Sequence, residues 1–353
     1  METAPYQEAL AAFTHQHNLT VTPISEGLIN QTYKVTNEKS GERFLLQQIN
    51  NIVFPEPQHI QDNYEKIWSW LQDKKNTKSI KIPRPLQFPG NKQLFRDSHQ
   101  RYWRVVEFID GAQTFHNVTN SNQAKKVAEA FGNFTAGFSD FDPSTLVPVI
   151  PGFHDLSLRY QQFQQALYSA EKDRLLSARA TAEELKKRER YTRFYETIIS
   201  SDEFKLRVMH HDAKISNILF DAISGDVICP VDLDTCMQGY FFSDLGDMIR
   251  SMTCPEDENS TDLGAINIKK ELYSAIVNGY LESMHGLLTP AEIEHIHYAG
   301  LIVIYMQALR FLADYLNRDV YYQTNYPGQN LDRAKNQLLL LEQLEAFLAT
   351  ESL

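Results

Sequence analysis

The sequence predicts an α+β chain with a small lobe built on an antiparallel sheet and a larger, mainly helical lobe. The chain has 353 residues, which is long for a single hydrophobic core. Its first third contains short segments in which apolar and polar residues alternate, whereas long helical stretches dominate the remainder. We therefore predict an N-terminal domain at 1–108 and a C-terminal domain at 109–353, with the seam near 107–111.

The predicted small lobe begins with a short helix over residues 5–17. Alternating apolar residues, separated by turn segments such as "GLIN" and "NEKSGE", then predict strands. These strands are "TVTPIS" (20–25), "QTYKVTN" (31–37), "ERFLLQQI" (42–49), "QLFRD" (93–97) and "YWRVVEFI" (102–109). One helix, "PQHIQDNYEKIWSWLQDKK" (57–75), interrupts them, and its apolar side includes Ile60, Tyr64 and Ile67.

The predicted large lobe contains long helical segments and one candidate hairpin. The helical segments are "NQAKKVAEAFGNFTAGF" (122–138), "SLRYQQFQQALYSAEKDRLLSA" (157–178), "TAEELKKRERYTRFYETIIS" (181–200) and "AEIEHIHYAGLIVIYMQALRFLADYL" (291–316). "NILFD" (217–221) and "VICPVDLD" (227–234) resemble two short strands joined by "AISGD". We therefore expect a hairpin with polar side chains at its ends.

Composition narrows the class of partner. The formal net charge of −11 argues against nucleic acid, although a small anionic ligand remains compatible with it. The N-terminus lacks signal-peptide features, no stretch approaches the roughly 20 apolar residues of a membrane span, and the three cysteines lack metal-ligand spacing. We therefore expect a cytoplasmic protein with neither nucleic acid nor membrane as partner, and the oligomeric state is open.

The segment "HHDAKISNILFD" (210–221) contains the pattern H-x-D-x-x-x-x-N. This spacing is typical of the catalytic loop of kinases, in which Asp accepts the proton of the substrate hydroxyl and Asn binds magnesium. It predicts Asp212 as the catalytic base and Lys214 as a contact of the transferring phosphoryl group. Asn217, together with Asp232 at the end of the second predicted strand, supplies the oxygen ligands that Mg²⁺ prefers.

Further segments resemble known kinase families. "EFIDGA" (107–112) resembles the adenine-binding hinge of kinases, and "FFSDLGDMIRSM" (241–252) resembles the Asp-rich helix start of aminoglycoside phosphotransferases. Beyond that superfamily, which includes choline kinases, the chain resembles N-acetylhexosamine 1-kinases from about residue 20 to 345. The segments that carry this resemblance are "GLINQTYKV", "FLLQQIN", "YWRVVEFI", "HHDAKISNILFDAISGDVICPVDLDTCMQG", "DLGDMIR" and, most specifically, "RFLADYLNRDVYYQTNYPGQNL".

The resemblance implies a bilobal protein-kinase-like fold and transfer of the γ-phosphoryl group of ATP, with Mg²⁺, to the anomeric 1-hydroxyl of N-acetylglucosamine or N-acetylgalactosamine. It implies that Arg310 and Tyr321 contact the sugar. The nucleotide-binding candidates are Gly27, Asn30, Thr32, Gln47, Glu107 and Ile109. Two positions depart from the expected pattern: Gln47 replaces the Lys or Arg of typical kinases, and Leu28 stands where the sugar kinases often have His.

Other functions fit parts of the sequence. A phosphotransferase of the same fold could act on an aminoglycoside or a choline-like alcohol, and the acidic run "CPEDENSTD" (254–262) could then bind the cation. His154-Asp155, His211-Asp212 and Asp232 would suit a metal phosphohydrolase. Gln47 would suit a nucleotide-binding pseudokinase.

Several polar residues also have structural interpretations. We expect His210 to shape its loop, His211 to lie on the loop surface, and Asp244 and Asp247 to support the catalytic loop. Asp234 is expected to organise the hairpin by a hydrogen bond. Arg310 could instead pair with Asp314, four residues further along a helix, and Tyr321 and Tyr322 could be ordinary core residues.

Overall fold

The computed structural model describes residues 4–24, 29–73 and 80–350. These residues form two compact units. The first comprises the described residues up to Gln113 together with Asp140–Pro151 and Leu219–Met237, and the second comprises Thr114–Ser139, Gly152–Ile218 and the described residues from Gln238 onward. The chain thus enters each unit more than once, and the boundary between 108 and 109 stays a prediction.

An antiparallel sheet dominates the first unit. Its elements are α1 (Gln7–Phe13), β1 (Leu19–Ile24), β2 (Gln31–Asn37), β3 (Arg43–Ile49), α2 (Pro57–Gln72), β4 (Pro85–Leu86), β5 (Phe95–Arg96), β6 (Tyr102–Glu107) and β7 (Ala112–Gln113). The strand order is β1-β2-β3-β6-β4, with β5 also paired to β6, and each of these neighbouring strands is antiparallel to the next. The predicted sheet is confirmed.

Strand register places apolar side chains on one face of this sheet and a row of polar side chains on the other. Val35, Phe44, Leu46, Trp103 and Val105 belong to a buried apolar cluster that includes Ala9 of α1. On the other face, the register pairs Thr32 with Gln47 and Gln47 with Arg104. Because residues in register point to the same side, these three polar residues form one row across β2, β3 and β6.

The remaining elements are mainly helical. They are α3 (Ser121–Ala136), α4 (Leu156–Ser169), α5 (Lys172–Lys186), α6 (Arg190–Ser200), β8 (Arg207–Met209), β9 (Ile218–Asp221), β10 (Val227–Pro230), β11 (Met237–Gly239), α7 (Phe242–Met252), α8 (Lys270–Ser283), α9 (Pro290–Glu294), α10 (Tyr298–Leu316) and α11 (Gln329–Thr350). β9 lies between β10 and β7, and β11 pairs with β8. The predicted hairpin of "NILFD" and "VICPVDLD" is confirmed, although its second strand ends at Pro230.

Three helices predicted as continuous are broken. The segment 181–200 divides at 187–189, between α5 and α6. The segment 157–178 divides at Ala170, whose backbone is extended, into α4 and α5. The segment 291–316 divides into α9 and α10, and Thr289 and Glu292 form a capping box at the start of α9. In all three places the sequence keeps its helical periodicity through the break, so periodicity alone did not reveal it.

Helix α10 is the apolar centre of the second unit. By length and composition it could cross a membrane, contrary to the expectation from sequence, but 89% of its apolar window is buried inside the protein. α7 packs closely against it, since a Cβ atom on Gly246 would lie 2.4 Å from the carbonyl oxygen of Ala299. This close packing fixes the first turn of α7, which carries Asp244.

Candidate active site

The predicted catalytic loop lies in the second unit, between β8 and β9. Its apolar residues are buried: Ala213 and Ile218 are 0% exposed and Ile215 is 2% exposed. A 3-10 turn, Ile215–Asn217, closes the loop. The buried residues alternate with polar ones, and therefore hold the polar side chains in fixed positions.

The structure brings Asp212, Lys214 and Asn217 together. Lys214 Nζ lies 2.9 Å from Asp212 Oδ2, and Asn217 Nδ2 donates to Asp212 Oδ2 and to the Asp212 carbonyl oxygen, both at 2.8 Å. Among the described residues, Asp212 Oδ1 accepts no hydrogen bond. One carboxylate oxygen is thus held in place and the other is available to a substrate.

The carboxyl group of Asp212 is ionised at neutral pH. Burial alone would raise its pKa, but the charge of Lys214 and the hydrogen bonds from Lys214 and Asn217 hold the pKa below its usual range. The side chain is 26% exposed, so the group is screened only in part. An ionised carboxylate with one available oxygen suits a proton acceptor.

Asp244 holds the start of this loop. Its Oδ2 accepts from the backbone N–H of His210 at 2.9 Å, and its Oδ1 accepts from that of His211 at 2.7 Å. Burial raises the pKa of Asp244 to about 6, although both N–H groups favour its ionised form. These contacts give Asp244 the supporting role that the sequence suggested.

His210 also has the expected contact. The backbone N–H of Asp212 donates to its Nδ1 at 3.4 Å, and its ring packs edge-on against Phe131. Asp247, the other predicted support, pairs with Arg250 at 2.8 Å, and its Oδ2 is buried without a hydrogen bond in the described part of the chain.

His211 is buried, so the expectation of a surface position was wrong. Its Nε2 lies 3.2 Å from the carbonyl oxygen of Gln238, and its Nδ1 lies 3.3 Å from Nδ1 of His154. Its backbone is left-handed, with φ 65°, which directs the side chain toward β11. Gly239 makes room for the ring, because a Cβ atom there would lie 2.5 Å from His211 Cε1.

Arg310 and Tyr321, the predicted sugar contacts, also lie together in the second unit. The Arg310 guanidinium lies over the rings of Phe153, Tyr321 and Tyr322 at 5.1, 5.8 and 5.5 Å. Tyr321 is 56% exposed and is therefore not a core residue. Phe153 stacks on His154, which contacts His211, so this aromatic cluster adjoins the catalytic loop.

The alternative pairing of Arg310 with Asp314 is wrong. Asp314 instead accepts from the backbone N–H groups of Tyr321 and Tyr322, both at 2.9 Å, and from Asn330 Nδ2. Arg310 donates to Gln307 and has no carboxylate partner among the described residues. Asp314 therefore positions the two tyrosines and does not serve as a counterion for Arg310.

Arg159 provides a second guanidinium near Arg310. It donates to the Phe153 carbonyl oxygen at 3.1 Å and to Gln162, and it also has no carboxylate partner within the described ranges. Burial, reinforced by the charge of Arg310, lowers the pKa of Arg159 to about 10. The cluster around Phe153 is therefore electropositive.

Asp232 lies in the first unit, two residues beyond the end of β10. Its backbone is left-handed, with φ 60° and ψ 57°, immediately before the 3-10 turn Leu233–Thr235. A non-glycine residue adopts this conformation at a cost of about 1 kcal/mol, so surrounding contacts must maintain it.

A buried polar network lies next to this turn. Arg104 forms an ion pair with Asp234 and donates to Gln47 Oε1 at 2.9 Å, and Gln47 Nε2 donates to Thr32 Oγ1 at 3.0 Å. Asn30 Nδ2 donates to Asp234 Oδ2 at 2.6 Å. Burial would lower the pKa of Arg104, but Asp234, and more weakly Asp232, raise it above its usual value. Asp234 therefore organises this turn, as expected, through an ion pair as well as a hydrogen bond.

The other nucleotide-binding candidates have simpler surroundings. Glu107 Oε2 accepts from the backbone N–H of Arg84 at 2.9 Å, and Ile109 is half-buried in the segment between β6 and β7. Gly27 and Leu28 lie outside the described residues.

Comparison with known proteins identifies the family. The model of the APH, or phosphotransferase enzyme, family matches residues 20–286, which is well over half of the chain. The chain belongs to the phosphotransferase enzyme family. The H-x-D-x-x-x-x-N loop, both strands of the hairpin and α7 all lie inside the matched range of this phosphotransferase.

Solved structures confirm the fold of the phosphotransferase. An aminoglycoside phosphotransferase from Alicyclobacillus acidocaldarius has a TM-score of 0.62 at 14% identity, covering 99% of this chain and 96% of that one. A choline kinase from Cryptosporidium parvum gives 0.55 at 15% identity, with 96% and 92% covered. A spectinomycin phosphotransferase in complex with ADP and spectinomycin gives 0.53 at 13% identity, with 96% and 94% covered. The predicted bilobal protein-kinase-like fold is confirmed.

The sequence did not reveal two residues of this phosphotransferase, Arg104 and Arg159. Arg104 lies next to Gln47 only through the register of β3 and β6. Arg159 lies on α4 and contacts the aromatic cluster because Phe153, in the segment before this helix, accepts its hydrogen bond. The available signal was an arginine inside an otherwise apolar strand, "YWRVVE", because a charged residue at a sheet-buried position needs a partner.

Proposed function

We propose that this phosphotransferase transfers the γ-phosphoryl group of ATP to the anomeric 1-hydroxyl of an N-acetylhexosamine, in a Mg²⁺-dependent reaction. One observation carries the proposal: Asp212 is ionised and fixed by Lys214 and Asn217, and its Oδ1 accepts no hydrogen bond among the described residues. The sequence resemblance described above supplies the acceptor.

In this reaction Asp212 Oδ1 accepts a hydrogen bond from the acceptor hydroxyl and takes its proton as the new O–P bond forms and the bond to the leaving ADP oxygen breaks. Lys214 keeps Asp212 ionised, and we assign its ammonium group a second role as a contact of the transferring phosphoryl group. Most of the rate enhancement in such reactions comes from positioning and charge stabilisation. The buried residues on both sides of Asp212 supply that positioning.

The donor set also suits Mg²⁺. Both hydrogen bonds of Asn217 Nδ2 are directed at Asp212, which leaves Asn217 Oδ1 on the opposite side of the amide as an oxygen ligand. We propose Asn217 and Asp232 as the residues that would hold the ion, since an amide oxygen and a carboxylate are ligands that Mg²⁺ prefers. When bound, the ion would neutralise charge on the phosphates.

The aromatic cluster supports a neutral acceptor. Arg310 and Arg159 have no carboxylate partners in the described part of the chain, so a cationic acceptor would meet repulsion there. Guanidinium groups instead donate to hydroxyl and carbonyl oxygens, which an N-acetylhexosamine has in abundance. We therefore assign Arg310 and Tyr321 to sugar binding.

The same reasoning disfavours the other functions. Choline is a cation, and the acidic run 254–262 that could bind one is partly engaged, because Glu258 pairs with Arg250 at 2.6 Å. For a metal phosphohydrolase, Asp155 would have to bind metal, but its Oδ1 accepts from the N–H of Leu158 and caps α4. A pseudokinase would not need the arrangement at Asp212.

For the nucleotide we retain Gly27, Asn30, Thr32, Gln47, Glu107 and Ile109 as proposed contacts. The amides of Asn30 and Gln47 already serve the network around Arg104, so any contact that they make with ATP has to be shared with it. We also propose a cytoplasmic location, which matches the supply of ATP.

Transfer of labelled phosphate from ATP tests the proposal. Purified protein would be incubated with Mg²⁺ and a panel containing N-acetylglucosamine, N-acetylgalactosamine, choline and kanamycin, with Asp212→Asn as the matched control. We expect a 1-phosphate product from an N-acetylhexosamine and a loss of turnover of several orders of magnitude in the control. Phosphorylation of choline or kanamycin alone would overturn the acceptor, and phosphate release without any acceptor would overturn the transferase reaction.

A further inference from the structure

The most deeply buried ion pair of the first unit lies next to the turn that carries Asp232. The side chains of Arg104 and Asp234 are 2% and 3% exposed. Removing both charges from water costs several kcal/mol per ion, and such a pair often stabilises a fold no better than apolar residues would. Stability alone is therefore a weak reason for placing Arg104 in the middle of the sheet.

The contacts of Asp234 join three segments of the first unit. Arg104 approaches Oδ1 from β6, and Asn30 donates to Oδ2 from the segment before β2. Asn30 is itself fixed, because its Oδ1 accepts from the backbone N–H of Asn50 at 3.0 Å. Both oxygens of Asp234 are thus engaged, and the turn that contains it is tied to the sheet.

Asp232 depends on this turn. It precedes Asp234 by two residues, and its left-handed backbone leads directly into the 3-10 turn Leu233–Thr235. The far side of the turn is also held, since Asn63 Nδ2 donates to the carbonyl oxygen of Cys236 at 3.1 Å. Loss of the Arg104 contact would leave Asp234 with the hydrogen bond from Asn30 but without its ion pair.

The strand register adds a second observation. Gln47, the β3 residue that replaces the Lys or Arg of typical kinases, lies directly opposite Arg104 on β6 and accepts its Nε–H. The positive charge missing from β3 is therefore present one strand away, on the same face of the sheet. Thr32 continues the row and completes the hydrogen bonding of Gln47.

We propose that Arg104 is a positioning residue, which supplies from β6 the charge absent from β3 and, through Asp234, holds the turn that follows Asp232, a residue that would bind the metal. The inference rests on the proposed function in that it takes Asp232 as a metal ligand. Residues that orient metal ligands without touching the metal commonly affect metal affinity or activity by 10- to 100-fold, an order-of-magnitude range.

The test compares Mg²⁺ activation in Arg104→Gln, Asp234→Asn and the exchanged variant Gln47→Arg/Arg104→Gln. The measured quantities are the Mg²⁺ concentration for half-maximal turnover, kcat, KM for the acceptor, and the midpoint of thermal unfolding with and without Mg²⁺ and ADP. We expect each single substitution to raise the Mg²⁺ requirement about tenfold or more and to leave the acceptor KM within about twofold. The exchanged variant should recover part of the loss, because it returns a guanidinium to the same row.

Arg101→Gln is the matched control. Arg101 forms an ion pair with Asp97 at 2.6 Å in the same unit, so its loss should lower thermal stability without changing the Mg²⁺ requirement. If Arg104→Gln and Asp234→Asn changed stability only, in the manner of the control, the ion pair would be structural and the inference wrong. If Arg104→Gln did not fold, the other two variants would decide: an unchanged Mg²⁺ requirement in Asp234→Asn overturns the inference. A wild-type protein without turnover would count against the proposed function instead.

Discussion

Replacing Lys214 with Met removes the charge beside Asp212 while retaining much of the side-chain length. Lys214 Nζ lies 2.9 Å from Asp212 Oδ2. At that distance two unit charges attract by about 1.4 kcal/mol in bulk water and by about 6 kcal/mol at an effective dielectric constant of 20. The two side chains are 33% and 26% exposed, so solvent screens the pair substantially and the lower part of this range applies.

We therefore expect Lys214→Met to weaken the stabilisation of ionised Asp212 by about 1.5 to 3 kcal/mol, equivalent to about one to two pKa units. The pKa of Asp212 is at present below its usual range, and burial would raise it once the ammonium is gone. Since the ionised form is the proposed proton acceptor, the acid limb of the pH profile of kcat/KM should move to higher pH by the same amount.

The assay is phosphoryl transfer from ATP, followed from pH 5 to 9 at saturating Mg²⁺. Lys214→Arg keeps the charge and should leave the acid limb in place. Lys186→Met, which removes an exposed partner of Glu183, controls for a general loss of positive charge. If Lys214→Met lowered kcat equally at every pH, Lys214 would act only on the phosphoryl group, and the electrostatic coupling to Asp212 would be refuted.

Three further predictions concern the residues around the loop. Asp244→Asn should destabilise the protein by about 1 to 3 kcal/mol, measured by urea unfolding, because an amide can accept only one of the two N–H groups that Asp244 now accepts. Since its folded pKa of about 6 exceeds 3.8, Asp244 lowers the free energy of unfolding as pH rises through that interval, and the substitution should remove this slope. Burial holds the pKa of His154 well below 6.5, so the unfolded state binds more protons and the free energy of unfolding should fall as pH drops below 6.5. His154→Gln should flatten this pH dependence in urea unfolding. An unchanged slope would contradict the prediction. Arg310→Met should raise the acceptor KM about tenfold with little change in the KM for ATP, and Arg318→Met, at an exposed ion pair, should change neither.

Local signals predicted the longer elements well. β2 coincides with "QTYKVTN", because strand alternation is decided by the residues of the strand itself. The two- and three-residue strands β4, β7, β8 and β11 were not predicted, since segments so short have no period to detect. The break at Ala170 was missed for a related reason: no glycine or proline marks it.

The residues of the proposed catalytic loop could be predicted from the sequence, whereas the contacts that support the site could not. The i to i+4 spacing of Arg310 and Asp314 suggested a salt bridge. The structure shows that the chain turns back after α10, with left-handed Arg318 and Asp319, and brings the N–H groups of Tyr321 and Tyr322 to Asp314. Backbone donors arriving from outside a helix cannot be read from side-chain spacing.

The carboxylates near the proposed chemistry divide into two groups according to how their oxygens are used. Asp244 and Asp314 have both oxygens occupied by backbone N–H groups, and Asp234 has both occupied by side chains. Asp212 and Asp247 each have one oxygen to which no described residue donates, namely Oδ1 of Asp212 and Oδ2 of Asp247. The free oxygen of Asp247 is buried, whereas the Asp212 side chain is 26% exposed. A carboxylate with hydrogen bonds to both oxygens can only shape a loop, whereas one with hydrogen bonds to a single oxygen has a fixed direction and can offer the other oxygen to a substrate. One fixed oxygen together with partial exposure of the side chain, more than the presence of an aspartate in the loop, is the physical reason for assigning proton transfer to Asp212.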